Sequence, residues 1–303
     1  MPVLIAGMTL AIRIDTELTV LGNRSGGYSR TSRSSPETTR DVLLILLAFA
    51  AGCVDAASYL GLGEVLTSAM TGNTVLLGLA IGQAKMQAAY RSSVALAGFV
   101  FGAVLAASIA ERKTKGAVWP RGITVILAVE FAVLAAFAFG WHFAGDDAVE
   151  TGWSGYLLIG AAGIAMGMQS VAVHRLRVAG VATTYVTGTL TNSAIRLVEW
   201  LHSPPDAASA RVSRPDVEPS GQAAKSHGSA YLLIVWLFYG LGAVAAGFVK
   251  LCCSLVHLPL LIGGATVALH WPTVTLLLPI AIIAIVIAAA AIRFGVGTIW
   301  AKS

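Results

Sequence analysis

The stretch "TSAMTGNTVLLGLAIG", residues 67–82, decides how the rest of this chain must be arranged. It opens with small and polar residues and then stays apolar only as far as Gly82. A helix needs about 20 apolar residues to cross a bilayer, so this run is too short to cross. Thr71, Gly72 and Asn73 therefore interrupt a hydrophobic segment, and the interruption needs a physical reason.

Composition places that segment in a membrane protein. Of the 303 residues, 56% are hydrophobic and 12% are charged, whereas a soluble domain carries about 25% charged residues. The apolar runs continue over about 20 residues, which favours spanning helices over the alternating strands of a barrel. The sequence therefore predicts an all-α, polytopic helical membrane protein.

The same composition excludes several classes of function. The net charge of +5 comes from basic residues scattered between apolar segments, where they indicate topology rather than a nucleic-acid partner. The cysteines Cys53, Cys252 and Cys253 lie in or beside apolar runs without ligand spacing, so we expect no metal and no cofactor. Paired-histidine and nucleophile-elbow motifs are missing from the sequence, and we do not expect an enzyme.

Eight apolar segments can be counted along the chain, at residues 42–62, 67–82, 93–110, 122–143, 154–173, 182–201, 230–251 and 274–292. We expect residues 1–40, rich in Arg and Ser, to form a disordered tail. Residues 202–228 are rich in Pro, Ser and charge and predict a flexible loop. The segments then divide into two membrane repeats, residues 41–143 and 154–294.

The division into repeats comes from three pairs of similar stretches that occur in the same order. "AAGCVDAASYL" resembles "AMGMQSVAVHRL", "TSAMTGNTVL" resembles "TTYVTGTLTN", and "AGFVFGAVLAASIAER" resembles "VWLFYGLGAVAAGFVK". Each match is weak alone, but the shared order predicts a duplicated unit of four apolar segments.

Charge predicts that the two repeats are inverted, because Lys and Arg collect on the cytoplasmic side. The first repeat follows an Arg-rich tail, whereas the second follows Asp146, Asp147 and Glu150. Repeats that start on opposite sides must each cross an odd number of times. We favour six full crossings plus two broken or re-entrant segments, which leaves Lys250 on the disfavoured side. The alternative is eight full crossings with both termini outside.

The re-entrant arrangement gives the interruption a role. Irregular backbone is tolerated at membrane depth only inside protein or around an aqueous cavity. We expect Thr71 or Asn73 to cap a half-helix from Thr74 to Gly82, while Gly72 allows close approach of the backbone. In the second repeat the same tasks fall to Thr187, Gly188, Thr189 and Asn192.

Two such half-helices meeting near the middle of the membrane are the arrangement of a secondary transporter's binding site. The alternative is that small residues such as the pairs Gly78/Gly82, Gly98/Gly102 and Gly163/Gly167 only let helices pack closely. For these three pairs we expect packing.

Two acidic residues lie deep in the predicted helices. Asp55 shares a helical face with Ser58 and Tyr59 and should be partnered, because an Asp at depth costs roughly 2.5–3.5 kcal/mol. Its polar counterpart in the second repeat is Gln169 or Ser170. Glu130 lies near the middle of the fourth segment. Asp55 and Glu130 are candidates for a proton relay or a cation site, and the alternative is a structural hydrogen bond.

These motifs resemble the YoaK-like bacterial membrane proteins, known as domain of unknown function 1275. The resemblance rests on Asp55 followed by "MTGNT" at residues 70–74, and on Gly167 with Gln169. It covers about residues 42–292 and omits the Arg-rich tail. It implies an integral protein of the bacterial inner membrane and implies no biochemical activity.

We therefore expect a transporter or channel for a small solute, with both termini in the cytoplasm. The alternative function is a non-transport membrane scaffold or assembly partner. The expected partners are the lipid bilayer, an unidentified small solute and further copies of the chain in a homo-oligomer.

Overall fold

The computed structural model describes residues 35–110, 118–144, 152–176, 229–255, 259–262, 265–268 and 271–294, together with the helical positions 190, 191, 194, 195 and 198. The predictions for Thr187, Gly188, Thr189 and Asn192, for the loop at 202–228 and for most of the tail lie outside these residues.

The described residues include seven helices with defined ends and one small hairpin. The helices are α1 (Pro36–Gly61), α2 (Met70–Gly82), α3 (Met86–Ile109), α4 (Arg121–Ala144), α5 (Trp153–Arg175), α6 (Ser229–Leu255) and α7 (Trp271–Phe294). Before α7, β1 (Pro259–Ile262) pairs antiparallel with β2 (Ala265–Ala268). The sequence alone predicted no structure for this hairpin.

Six of the described helices are long and apolar enough to cross a membrane, and α2 is the exception. Its 13 residues extend over about 20 Å, less than the hydrocarbon thickness of about 30 Å. The prediction of a polytopic helical membrane protein with a short broken segment is therefore confirmed in the first repeat.

The start of α1 shows how local sequence sets a helix end. Ser35 Oγ accepts a hydrogen bond from the Thr38 amide at 3.2 Å, which satisfies an amide of the first turn. Pro36 follows at the first helical position, where its missing N–H costs nothing and its fixed φ suits a helix.

The chain turns back after α1 rather than continuing across. Arg91, near the start of α3, lies against Gly63, just beyond the end of α1. A tight turn at Ala84, with φ of +57°, joins α2 to α3. The end of α1 and the start of α3 are therefore at the same face, so α1 and α3 run in opposite directions. Residues 62–69 and α2 together form the re-entrant segment, which enters and leaves by that face.

Helix α1 packs closely on α6 through two glycines. A Cβ on Gly52 would overlap the carbonyl oxygen of Tyr239, and a Cβ on Gly242 would overlap that of Phe49. Such approach of two backbones is possible only with small residues at the contact. Lys250 of α6 reaches Leu60 of α1, so later residues of α6 contact later residues of α1, and the two helices run in the same direction.

Helix α3 packs on α5 in the same way. A Cβ on Gly167 would overlap the carbonyl oxygen of Phe99, and a Cβ on Gly102 would overlap that of Ile164. Gly98 meets Gly160 one turn before, so these two helices also run in the same direction. The pairs Gly98/Gly102 and Gly163/Gly167 are thus packing residues, as predicted.

The two interfaces are equivalent under the internal repeat. Gly52 corresponds to Gly167, and Gly242 corresponds to Gly102, and each glycine contacts the equivalent carbonyl of its partner helix. Helices α3 and α5 are parallel, and α1 is antiparallel to α3. Helix α1 is therefore antiparallel to α5, its equivalent in the second repeat. The repeats are therefore inverted. In this alignment of the two repeats Gly102 is equivalent to Gly242. Aligning the two similar sequence stretches end to end would place Gly102 two residues earlier in the second repeat.

Helix α4 packs antiparallel on α7. Trp119 stacks on Phe294 at one end with 5.6 Å between ring centroids, and Trp141 contacts Trp271 edge-on at the other. The expectation that Gly78 and Gly82 pack against a neighbour is not met, because a Cβ on either would lie in open space among the described residues.

Candidate functional site

Asp55 is the centre of the polar cluster that the first repeat brings together. Its Oδ1 accepts hydrogen bonds from the backbone amides of Thr67 and Ser68 at 2.7 and 2.6 Å and from Thr67 Oγ1 at 3.2 Å. Its Oδ2 accepts from Ser68 Oγ at 2.6 Å and from Tyr239 Oη at 2.5 Å. The residue is 3% exposed. The prediction that a deep Asp must be partnered is confirmed.

These hydrogen bonds explain how non-helical backbone is stabilised at membrane depth. Residues 62–69 are not helical, so the Thr67 and Ser68 amides lose the intrahelical partners that a continuous helix would give them. A buried unsatisfied amide costs about 1–3 kcal/mol, and the Asp55 carboxylate removes that cost for Thr67 and Ser68. Asp55 lies six residues before the end of α1, about 9 Å along the helix, so the segment returns that far along α1.

Asn73 is the second clamp on the break. Its Oδ1 accepts from the Leu66 amide at 3.0 Å, and its Nδ2 donates to the Leu66 carbonyl oxygen. The side-chain amide thus satisfies both backbone groups of one residue, as a neighbouring strand does. Asn73 is fully buried, which makes this pairing the reason for an amide at that position.

The predicted capping is wrong. Helix α2 begins at Met70, not Thr74, and its N-cap residue Ala69 makes no side-chain capping bond. Thr71 is exposed on the first turn and stands apart from the Asp55 cluster. Gly72 lies over Leu66, whose Cδ1 would be 2.8 Å from an added Cβ. The interruption therefore precedes the Thr-Gly pair, because Asp55 and Asn73 hold residues 66–68 in a non-helical conformation.

Ser58 and Tyr59 do not share one environment, contrary to expectation. Ser58 is fully buried and its Oγ has no hydrogen-bond partner among the described residues. Tyr59 is 43% exposed and lines a surface pocket. Only Ser58 remains with Asp55 on the inner side of α1.

Gln169 is not brought to Asp55. Its Nε2 donates to the Leu47 carbonyl oxygen at 2.9 Å, and its Oε1 has no partner within the described chain. Leu47 lies eight residues before Asp55 on α1, about 12 Å along the helix. The interface register instead aligns Asp55 with Ser170.

Glu130 stands apart from the Asp55 cluster. It is fully buried on α4, and neither carboxylate oxygen has a hydrogen-bond partner among the described residues. The antiparallel contacts between α4 and α7 place it at about the level of Ile283. The donors to Asp55 come from the re-entrant segment and α6, so the two acids form separate sites.

Three residues of the cluster were not predicted from the sequence: Thr67, Ser68 and Tyr239. The first two lie in the polar start of the interrupted stretch, and a register with Asp55 was needed to select them. Tyr239 corresponds to Phe99 in the inverted repeat. The sequence signal that could have identified Tyr239 is its hydroxyl, because the equivalent residue Phe99 has none.

Lys250, the expected exception to the charge rule, has a structural task. Its Nζ donates to the Leu60 carbonyl oxygen at 3.0 Å and lies 4.6 Å from the Trp271 ring centroid. A cation at the C-terminal end of α1 offsets the partial negative charge of its last carbonyls. Lys250 is not alone, since Lys85 and Arg91 lie at the same face.

The six spanning helices, the inverted repeat and the re-entrant segment define a multi-pass α-helical membrane protein. The chain belongs to the family described as protein of unknown function DUF1275, whose family model matches residues 43–292. The resemblance seen in the sequence is thereby confirmed.

The chain is 40% identical over 151 residues to the UPF0700 transmembrane protein YoaK of Bacillus subtilis (strain 168). The match covers 50% of this chain and 64% of that protein. No solved structure matches the chain.

Proposed function

We propose that this protein is a non-enzymatic transporter or channel for a small solute in the bacterial inner membrane, with both termini cytoplasmic. The observation that carries the proposal is the buried Asp55 carboxylate, which binds the re-entrant segment of the first repeat and Tyr239 of the second. An ionisable residue within a spanning helix is a functional candidate by default, because its burial is costly.

The hydrogen bonds of Asp55 give the proposal a mechanism. In this state protein donors occupy both carboxylate oxygens. A proton or cation that reaches Asp55 must displace some of those donors. Displacement frees residues 66–68 and loosens Tyr239, so binding at Asp55 and movement of the re-entrant segment become one event. This is the coupling that alternating access requires.

Glu130 is the proposed second proton carrier. An ionised carboxylate cannot remain buried without partners except at great cost, and both Glu130 oxygens are unpartnered within the described chain. We therefore infer that Glu130 holds a proton in this state. We propose that Glu130 acts as a proton relay. The residues that we propose to bind the solute, besides Asp55 and Asn73, are Ser58, Gln169, Thr187, Gly188, Thr189 and Asn192.

Flux through proteoliposomes tests the proposal. Vesicles loaded with a pH-sensitive dye receive, in separate runs, pools of amino acids, monocarboxylates, sugars and alkali cations. We expect one pool to drive flux with the parent protein, and Asp55→Asn and Asn73→Ala to abolish it. Ser108→Ala, which removes an exposed hydroxyl bonded only within its own helix, is the matched control. Undiminished flux in both site variants, beside an active parent, rejects the site.

The second candidate function is a membrane scaffold or assembly partner, and the same cluster favours it. The full use of Asp55 by protein donors is what a purely structural carboxylate requires. Cysteine accessibility separates the two. In a protein without its native cysteines, Cys placed at 55 or 73 reacts with a water-borne reagent only if an aqueous path exists. Reaction at either position supports transport, and protection at both supports the scaffold.

A further inference from the structure

A pocket of about 580 Å³ opens where α1 ends and α3 begins. It is lined by residues including Tyr59, Gly61, Gly63, Glu64, Gln87 and Arg91. It belongs neither to the Asp55 cluster nor to Glu130. Because it lies at the ends of spanning helices, it faces the aqueous side of the membrane at the entrance to the re-entrant segment.

The cation of the pocket lies against a glycine. A Cβ on Gly63 would overlap Arg91 Nη1, so the guanidinium lies directly on the glycine backbone. Gly63 also has φ of +81°, a conformation that side chains other than glycine adopt only with strain. The φ requires glycine at this position, and the contact places the Arg91 guanidinium against the turn after α1.

The anion of the pocket is held by an unusual backbone conformation. Glu64 has φ of +60°, which is uncommon for a residue with a Cβ and costs of order 1 kcal/mol or more. The amide of Glu64 donates to the Tyr59 carbonyl oxygen at 3.2 Å, which closes the turn after α1. Strain of this kind concentrates at binding sites, where it sets the position of a side chain.

The charges of the lining select the chemistry of a ligand. Arg91 suits a carboxylate through its planar fork of donors, and Gln87, four residues earlier on the same face of α3, adds an amide. Glu64 suits an ammonium group, and the ring of Tyr59 adds a cation–π surface. A simple anion would be repelled by Glu64, and a simple cation would be repelled by Arg91. A ligand that carries both charges is complementary to both residues.

We propose that this pocket binds a small zwitterion of the α-amino-acid class, with its carboxylate at Arg91 and Gln87 and its ammonium group at Glu64 and Tyr59. The volume lies within the range of about 300–1,000 Å³ that is usual for small-ligand pockets. The inference goes beyond the proposed function, because binding at this face requires no transport and no participation of Asp55.

Thermal melting of the full chain in lipid nanodiscs, followed by tryptophan fluorescence, tests this inference. The probes are three pools with the same uncharged side chains: free L-amino acids, N-acetylated amino acids and amino-acid amides. Only the first pool is zwitterionic, while the second is anionic and the third is cationic. We expect the free amino acids alone to raise Tm, by about 2 °C or more at saturating concentration.

Variants assign the shift to the pocket. Arg91→Gln and Glu64→Gln should each abolish the shift, and Gln87→Ala should reduce it. Lys85→Gln removes an exposed cation at the same face that does not line the pocket, and it should keep the full shift. If Arg91→Gln does not fold, Glu64→Gln and Gln87→Ala decide.

Three outcomes overturn the inference. The first is no shift with free amino acids, and the second is an equal shift with either singly charged pool. The third is a shift that survives Glu64→Gln, or that persists undiminished in Gln87→Ala. Loss of flux in the proteoliposome experiment would not bear on any of these results.

Discussion

Tyr239 donates its hydroxyl to Asp55 across 2.5 Å, and this bond joins the two inverted repeats at the point where the first repeat interrupts its helix. The same carboxylate holds Thr67 and Ser68. A change at Asp55 is therefore felt at once by the re-entrant segment and by α6. The bond can be tested by removing either partner.

Tyr239→Phe should destabilise the protein by about 1.5–3 kcal/mol, the usual contribution of a hydrogen bond to a charged group. The ring itself should still fit, because Phe99 occupies the equivalent position in the other repeat. Thermal melting in nanodiscs gives the measurement, and Tyr90→Phe on an exposed ring is the control. If Tyr239→Phe costs as much in an Asp55→Asn background as in the parent, the bond contributes nothing.

Asn73→Ala should leave the Leu66 amide and carbonyl without partners and cost about 1–3 kcal/mol for each group. We expect faster hydrogen exchange confined to residues 62–69. Thr71→Ala, on the exposed side of the same turn, should leave exchange unchanged. Equal exchange in Asn73→Ala and Thr71→Ala would show that the amide does not clamp the break.

Gly52→Ala and Gly167→Ala should destabilise to a similar extent, by about 1–3 kcal/mol, because each added Cβ overlaps the equivalent backbone carbonyl. Gly247→Ala adds a Cβ in open space and should be neutral or slightly stabilising in a helix. Melting temperatures of the three variants are compared. A harmless Gly52→Ala beside a damaging Gly167→Ala would break the equivalence of the interfaces.

Glu64→Cys and Lys85→Cys should be labelled by a membrane-impermeant maleimide from the same side of the membrane. The re-entrant segment returns to the face where α1 ends, so positions before and after it share that face. Ser35→Cys, before α1, should be labelled from the opposite side. Labelling of positions 64 and 85 from opposite sides would mean that α2 crosses the membrane fully.

Glu130→Gln should keep or raise stability, because it removes a buried carboxyl without partners while preserving its shape. Proton-coupled flux should nevertheless fall, since an amide cannot release a proton. Melting and the proteoliposome assay are run on the same preparation. A variant with unchanged flux would remove Glu130 from the relay.

Much of this arrangement could be predicted from the sequence, because it depends on the lengths of the apolar segments and on where charged residues lie along the chain. The apolar run at residues 67–82 is too short to span, and the charges around Asp146 orient the repeats. A deep Asp must find donors wherever they are. These constraints predicted the six spanning helices, the short segment in the first repeat and the burial of Asp55.

The remaining details depend on register in space, which the sequence does not contain. Thr71 looked like a helix cap because threonine caps helices, but Ala69 holds that position. Thr67 and Ser68 became visible only when the chain turned back along α1 to Asp55. The sequence left Gln169 and Ser170 as alternative equivalents of Asp55, and only the contacts of the interface glycines select Ser170.

The paired glycine contacts have a consequence for ancestry. The surface that α1 offers to α6 is the surface that α5 offers to α3, so each half of the chain carries both sides of the same joint. A half-length precursor would thus have been complementary to a copy of itself inserted upside down, and fusion of two genes would have made that antiparallel dimer permanent.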